Sequence, residues 1–148
     1  MSRTRTNNRD PGFSYMISGI LPVNKPENIS SAQVVARVKR ALKAGKAGHT
    51  GTLDPFATGL VLVCLNQATR ISRFFLEGSK TYLATITLGL ETNTYDKTGT
   101  PGQRAQPGLM AQITDVAVEE AVLGFKGPQD QVAPSFSALK HQGQPLYK

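Results

Sequence analysis

The apolar positions of this chain fall into five patterned stretches, each predicting an element. Val34, Val35, Val38 and Leu42 recur at helical spacing behind Ser30, with Gln33 three residues after the serine. This predicts a capping box and a helix running to about Ala44, with Gly45 as its stop. Leu60 to Leu65 is continuously apolar and rich in valine, as a short strand buried on both faces would be. From Ala68 to about Leu76 the spacing predicts a second helix that buries Ile71, Phe74 and Phe75 and ends at Gly78. Lys80 to Leu90 alternates, with Tyr82, Ala84, Ile86, Leu88 and Leu90 on one face. The alternation predicts a half-buried strand that starts with Tyr82 on its apolar side. A further helix is expected from the Thr114/Asp115 cap to about Leu123, burying Val118, Val122 and Leu123, with Gly124 near its end.

The polar stretches separate these elements. Residues 1–18 are basic and without periodicity, and read as a flexible tail. Gly19 to Pro26 is a short extended piece. Pro22 and Pro26 confine it to a sheet edge or a loop lining, because neither can donate to a ladder. Residues 92–99 are rich in turn formers, and 99–108 read as a flexible connection. Gly127 and Pro128 open a last extended stretch. Strands and helices in this alternation, with long non-helical stretches between them, predict an α+β domain over residues 19–148: a mixed β-sheet flanked by helices.

Charge sharpens the picture. The net charge is +7 over 148 residues. Residues 1–50 hold nine basic side chains against two acidic ones, and the remainder holds eight of each. The whole excess therefore lies upstream of residue 51, a field that suits a polyanion, with nucleic acid first and an anionic membrane surface second. Arg37, Lys39, Arg40 and Lys43 fall outside the apolar stripe of the first helix. They read either as a solvated face that complements the helix dipole or as phosphate contacts. Lys25, between Asn24 and Pro26, reads as a solvated lysine or as a further phosphate contact. No apolar run approaches the roughly 20 residues that span a bilayer. The N-terminus lacks the apolar core of a secretory signal. The single cysteine, Cys64, lies inside an apolar run, reads as a core residue and fits a reducing cytoplasm.

Between the basic helix and the apolar strand lies residues 48–60, which gather glycines, threonines, His49 and Asp54. Asp54 is the only carboxylate between Glu27 and Glu77, and Pro55 biases it to an extended conformation. Gly45-Lys46 is not a phosphate-binding P-loop, since Arg40 and Ala47 stand where the pattern needs glycine and a hydroxyl. Two histidines and one cysteine, widely separated, match no metal-ligand spacing. No Gly-x-Ser-x-Gly is present, and a paired-carboxylate site would have only the distant Asp96 to offer. Tyr82 reads as core with a bonded hydroxyl. The residues themselves thus support an RNA- or DNA-binding domain with one carboxylate in a glycine-rich loop.

Gly48-His49-Thr50-Gly51-Thr52-Leu53-Asp54-Pro55-Phe56-Ala57-Thr58-Gly59 resembles the catalytic motif of the TruB family of tRNA pseudouridine synthases. Gly19–Pro26 with Ser30 and Ser31 resembles the family's opening motif. Ala68-Thr69-Arg70, Lys80-Thr81-Tyr82 and the run from Gly89 through Thr92 and Thr94 to Asp96 follow at family spacing. The stretch from Gln131 to Tyr147 resembles a later family segment, with Ala133 in place of a proline and Phe136 in place of a tyrosine.

The resemblance, covering about residues 19–148, implies an isomerase. It would act on a uridine in the T-arm loop of tRNA and need no cofactor, metal or obligate protein partner. By it, Asp54 is the catalytic carboxylate, Tyr82 stacks on the target base and His49 contacts the RNA. Lys25 and Asp96 support the substrate pocket, and Arg37, Arg40 and Lys43 touch phosphates. It also implies that the chain corresponds to the front of a catalytic domain truncated on its C-terminal side. In the family's continuation lies an arginine that pairs with the catalytic aspartate. Two other readings remain at this point: a non-catalytic RNA-binding fragment, and a guide-RNA-dependent, dyskerin-like synthase. Thr50, Phe56 and Ala57 within the motif, and the short tail, count against the latter.

Overall fold

The computed structural model describes residues 17–130, together with the backbone of Lys140–His141 and Gln144–Pro145. The chain divides into two compact units, Met1–Thr81 and Tyr82–Lys148.

The first unit is a three-stranded sheet with one long helix. Its strands are β1 (Gly19–Lys25), β2 (Ala47–His49) and β3 (Gly59–Leu65), in the order β1-β3-β2. Both pairings are antiparallel; β1 lies opposite β3 with Gly19 facing Leu65 and Lys25 facing Gly59. β1 is therefore an edge strand, as Pro22 requires. All strand pairings among the described residues are antiparallel, so the expected mixed sheet is not found in them. β3 is central because its apolar run can be covered on both faces. Val61, Val63 and Leu65 share one face and cluster with Val34 and Ala44, while Cys64 is buried on the other. Burying each valine or leucine side chain among them contributes about 1.5–3 kcal/mol. Burial also pushes the Cys64 thiol pKa up.

Helix α1 (Ser31–Ala41) starts as the sequence predicts. Ser30 is the N-cap, with Gln33 N–H donating to its hydroxyl and the Gln33 carboxamide accepting from Ser30 N–H. Its C-terminus differs from expectation. The helix ends at Ala41, before Gly45, because Lys43 takes the left-handed conformation at φ +48°. Lys43 N–H donates to Arg40 C=O, and Ala44 N–H to Lys39 C=O. This is a Schellman closure with a lysine where glycine usually stands. Ala44 then drops into the core, and this apolar contact helps to hold the turn. Asn66 ties the strand ends together: its amide donates to Ile17 C=O and accepts from Lys46 N–H. A 3-10 turn (Asn66–Ile71) and the short α2 (Ser72–Leu76) follow. Ile71, Phe74 and Phe75, expected to be buried, are exposed.

The second unit contains β4 (Leu90–Thr92) paired with β5 (Pro101–Arg104), α3 (Pro107–Met110), α4 (Asp115–Leu123) and a two-residue pairing of β6 (Lys140–His141) with β7 (Gln144–Pro145). α4 begins at the predicted Thr114 cap, whose hydroxyl accepts from Ala117 N–H. Three expectations are corrected here. The 99–108 connection is ordered into β5 and the start of α3. Val118, Val122 and Leu123 on α4 are exposed. The strand expected over Lys80–Leu90 forms only at Leu90, and Leu83 is 103% exposed. Alternation describes a pleat but supplies no neighbouring strand. Among the described residues only Leu90 of that run finds a ladder partner, Arg104.

Candidate active-site loop

The loop between β2 and β3 carries Asp54, and three segments distant in sequence determine its path. Thr50 N–H donates to Leu62 C=O, extending the β2–β3 ladder by one step. Three residues later the chain meets the start of α1. The Ser31 hydroxyl accepts from Leu53 N–H at 2.9 Å and donates to Leu53 C=O at 3.1 Å. Asp54 C=O accepts from Ala57 N–H, closing a turn. Pro55 C=O accepts from Asn28 N–H at 2.7 Å and from Lys25 Nζ at 3.1 Å. Asn28 itself sits at φ +66°, a conformation that asparagine tolerates better than most residues. The loop rejoins β3 at Gly59, whose φ of +124° requires glycine.

Lys25 is neither the solvated lysine nor the phosphate contact that the sequence suggested. It is 0% exposed, and its ammonium donates to Pro26, Ile29 and Pro55 carbonyls at 2.8–3.1 Å. A buried cation is tolerable only with its donors satisfied, and three carbonyl dipoles satisfy them. Through Pro55 it holds the backbone of the Asp54 loop.

Asp54 lies exposed between Leu53 and Pro55, each clamped by a buried side chain. The result is an accessible carboxylate on a constrained backbone. His49 closes β2 opposite Val63, and its Nδ1 is shielded without a hydrogen-bond partner among the described residues. A buried nitrogen of this kind is uncommon and calls for a reason. Sequence reasoning placed Ser31 in a motif without giving it a role and overlooked Asn28. The signal for Ser31 was the doublet: Ser30 is consumed as the cap, which leaves a second serine on the first turn, facing inward.

Arg37, Lys39, Arg40 and Lys43 are all exposed. They do not lead into the Asp54 loop, as their sequence position suggests. The loop packs on the opposite end of α1, at Ser31. With a rise of about 1.5 Å per residue, Arg37 and Arg40 lie roughly 9 and 14 Å along the axis from it.

Tyr82 and Asp96 belong to the second unit. Tyr82 is 65% exposed, so it is not the core residue that the alternation suggested. Asp96 organises its own turn. One carboxylate oxygen accepts from the Thr98 hydroxyl at 2.6 Å and from the Thr94 hydroxyl and Thr98 N–H at 2.8 Å. The Thr98 hydroxyl, with Thr94 and backbone N–H groups assisting, holds its pKa below the usual value, against a smaller effect of burial. Among the described residues no three His, Cys, Asp or Glu side chains gather as a metal site. Nor is any helix of those residues long and apolar enough to cross a membrane.

Residues 39–148 match the family described as TruB family pseudouridylate synthase, N-terminal domain. Over 131 residues the chain is 50% identical to a tRNA pseudouridine synthase B of Desulfotalea psychrophila, covering 88% of this chain and 52% of the relative. It is 47% identical to the synthase of the same name from Hydrogenovibrio crunogenus, with 89% and 43% covered. For that of Bordetella pertussis the identity is 46%, with 89% and 54% covered. The chain thus spans about half the length of these relatives.

Proposed function

Because the chain belongs to the TruB family of pseudouridylate synthases, we propose that it carries the catalytic loop of a tRNA pseudouridine synthase, with Asp54 as the catalytic carboxylate and a uridine of the T-arm loop as target. The observation that carries this reading is the geometry at residues 53–55: an exposed carboxylate whose two neighbours are pinned by Ser31, Asn28 and Lys25. The reaction breaks the bond between uracil N1 and the ribose, turns the base and joins C5 to the same carbon. C5 gives up its hydrogen and N1 gains one. Attack on the ribose, attack on the base and removal of a ribose proton are the roles open to the carboxylate. Each needs a carboxylate that the nucleotide can reach, carried on a backbone that does not wander, and the clamped loop supplies these two conditions.

The target base must leave the RNA stack first, at a cost of roughly a few kcal/mol. Tyr82, with its ring exposed, is assigned the stacking role on the extruded base. His49 is assigned a contact with the RNA. Arg37, Arg40 and Lys43 bind phosphates without reading sequence. Asp96 shapes the turn that follows the Tyr82 segment, and Lys25 supports the catalytic loop.

Tritium release from a T-arm stem-loop labelled at uracil C5 tests the reading, because C5 loses its hydrogen only when the new C–C bond forms. Release that Asp54→Asn abolishes while RNA binding persists is the expected result. Undiminished release from Asp54→Asn would sink it.

A further inference from the structure

We infer that Ser31 is a positioning residue for Asp54. The inference deepens the reading of Asp54 as the catalytic carboxylate and rests on it. A serine hydroxyl has one proton to donate and lone pairs to accept with. Here one hydroxyl does both toward a single residue, taking the N–H of Leu53 at 2.9 Å and giving its proton to the C=O of Leu53 at 3.1 Å. Two hydrogen bonds from one atom to both backbone polar groups of one residue hold that residue as a β-bridge would, without a second strand. The residue so held immediately precedes Asp54. The site is enclosed, with Ser31 2% exposed and Leu53 packed against the core cluster. Water therefore cannot readily replace the hydroxyl, and its removal leaves a shielded donor and acceptor unpaired.

The position of Ser31 in the chain adds to this. It is the first residue of α1, so its backbone lies within the helix. On the other side of Asp54, the carbonyl of Pro55 is held by Asn28 and Lys25. With Leu53 and Pro55 both held, these clamps set the path of the backbone from which the Asp54 side chain projects. A loosened clamp turns the carboxylate away from the nucleotide without altering the surfaces that bind RNA. Such a misplacement near 1 Å lowers turnover by about 100-fold.

The test compares Ser31→Ala, Ser31→Cys and Ser30→Ala in the intact protein. The readouts are kcat and KM for tritium release, affinity for the T-arm stem-loop and amide exchange at Leu53. Ser31→Cys keeps the size of the side chain but weakens both hydrogen bonds, so it answers the question even where Ser31→Ala does not fold. Ser30→Ala removes the cap of the same helix without touching Leu53. Both Ser31 variants, where folded, are expected to lose about 10- to 100-fold in kcat with KM and RNA affinity within about twofold of wild type. Leu53 N–H exchange is expected to accelerate by about tenfold or more. Ser30→Ala, under conditions where it is folded, keeps wild-type kcat. A folded Ser31→Cys with wild-type kcat overturns the inference, as does a matching fall in Ser30→Ala. If wild type turns over and Asp54→Asn does not, but Ser31→Cys is unimpaired, the inference alone fails. Absence of turnover in wild type instead overturns the reading beneath it.

Discussion

The ammonium of Lys25, at the end of β1, donates to the carbonyl of Pro55 at 3.1 Å across thirty positions of sequence. The same buried group also holds Ile29 and Pro26, so the β1–α1 turn and the Asp54 loop share one anchor. Lys25→Met keeps the bulk of the side chain and removes the donors. It should destabilise the protein by about 2–4 kcal/mol, as three carbonyls each lose a hydrogen bond from a charged donor. Urea unfolding should show a lower midpoint with an unchanged slope. An unmoved midpoint would mean that the ammonium does not hold the two loops together.

Lys43 holds a left-handed conformation at the end of α1 that glycine adopts without strain. Lys43→Gly should therefore raise stability by about 0.5–1 kcal/mol. If Lys43 contacts a phosphate, the same change weakens RNA binding and lowers the salt slope by roughly one. Thermal unfolding and a salt titration on one variant separate the two effects. Loss of stability would contradict the strain argument.

The phosphate role of α1 has its own signature. Replacing Arg37 and Arg40 together by alanine should weaken binding to all RNA sequences alike. The slope of log affinity against log salt should fall by roughly one to two. Both side chains are exposed, so stability should change by no more than about 0.5 kcal/mol each. A salt slope equal to wild type would remove α1 from the RNA interface.

The depressed pKa of Asp96 predicts a pH dependence for its turn. The carboxylate is stabilised in the folded state, so its contribution is fully present above the ordinary value of 3.8. That contribution is lost as pH falls through the lower folded value. Amide exchange at Thr98, whose N–H donates to Asp96, should accelerate on acidification below about pH 4. In Asp96→Asn the exchange should be faster at neutral pH and lack that acid step. An acid step surviving in the asparagine variant would assign the titration to another group.

Much of the first unit was legible before its structure. The Ser30–Gln33 capping box, the edge character of β1 and the apolar run of β3 are local features, each written in a few adjacent residues. So is the Thr114 cap of α4. The end of α1 was not legible, because the left-handed turn at Lys43 goes with the burial of Ala44 against β3 residues about twenty positions on. The Lys80–Leu90 alternation was misleading for a related reason: a pleated pattern becomes a strand only beside another strand.

The site divides in the same way. By itself the sequence determined where the carboxylate stands, in a glycine-rich loop before an apolar strand, because spacing and residue type are local properties. It also determined the charge asymmetry, which is a sum over residues and needs no fold. Only the tertiary structure decided what Lys25 and Ser31 do. A lysine before a proline and the second serine of a doublet look solvent-facing in one dimension. Their partners, Pro55 and Leu53, lie 30 and 22 positions away. Chain folding brings those carbonyls into reach and excludes the water that would otherwise have satisfied both side chains.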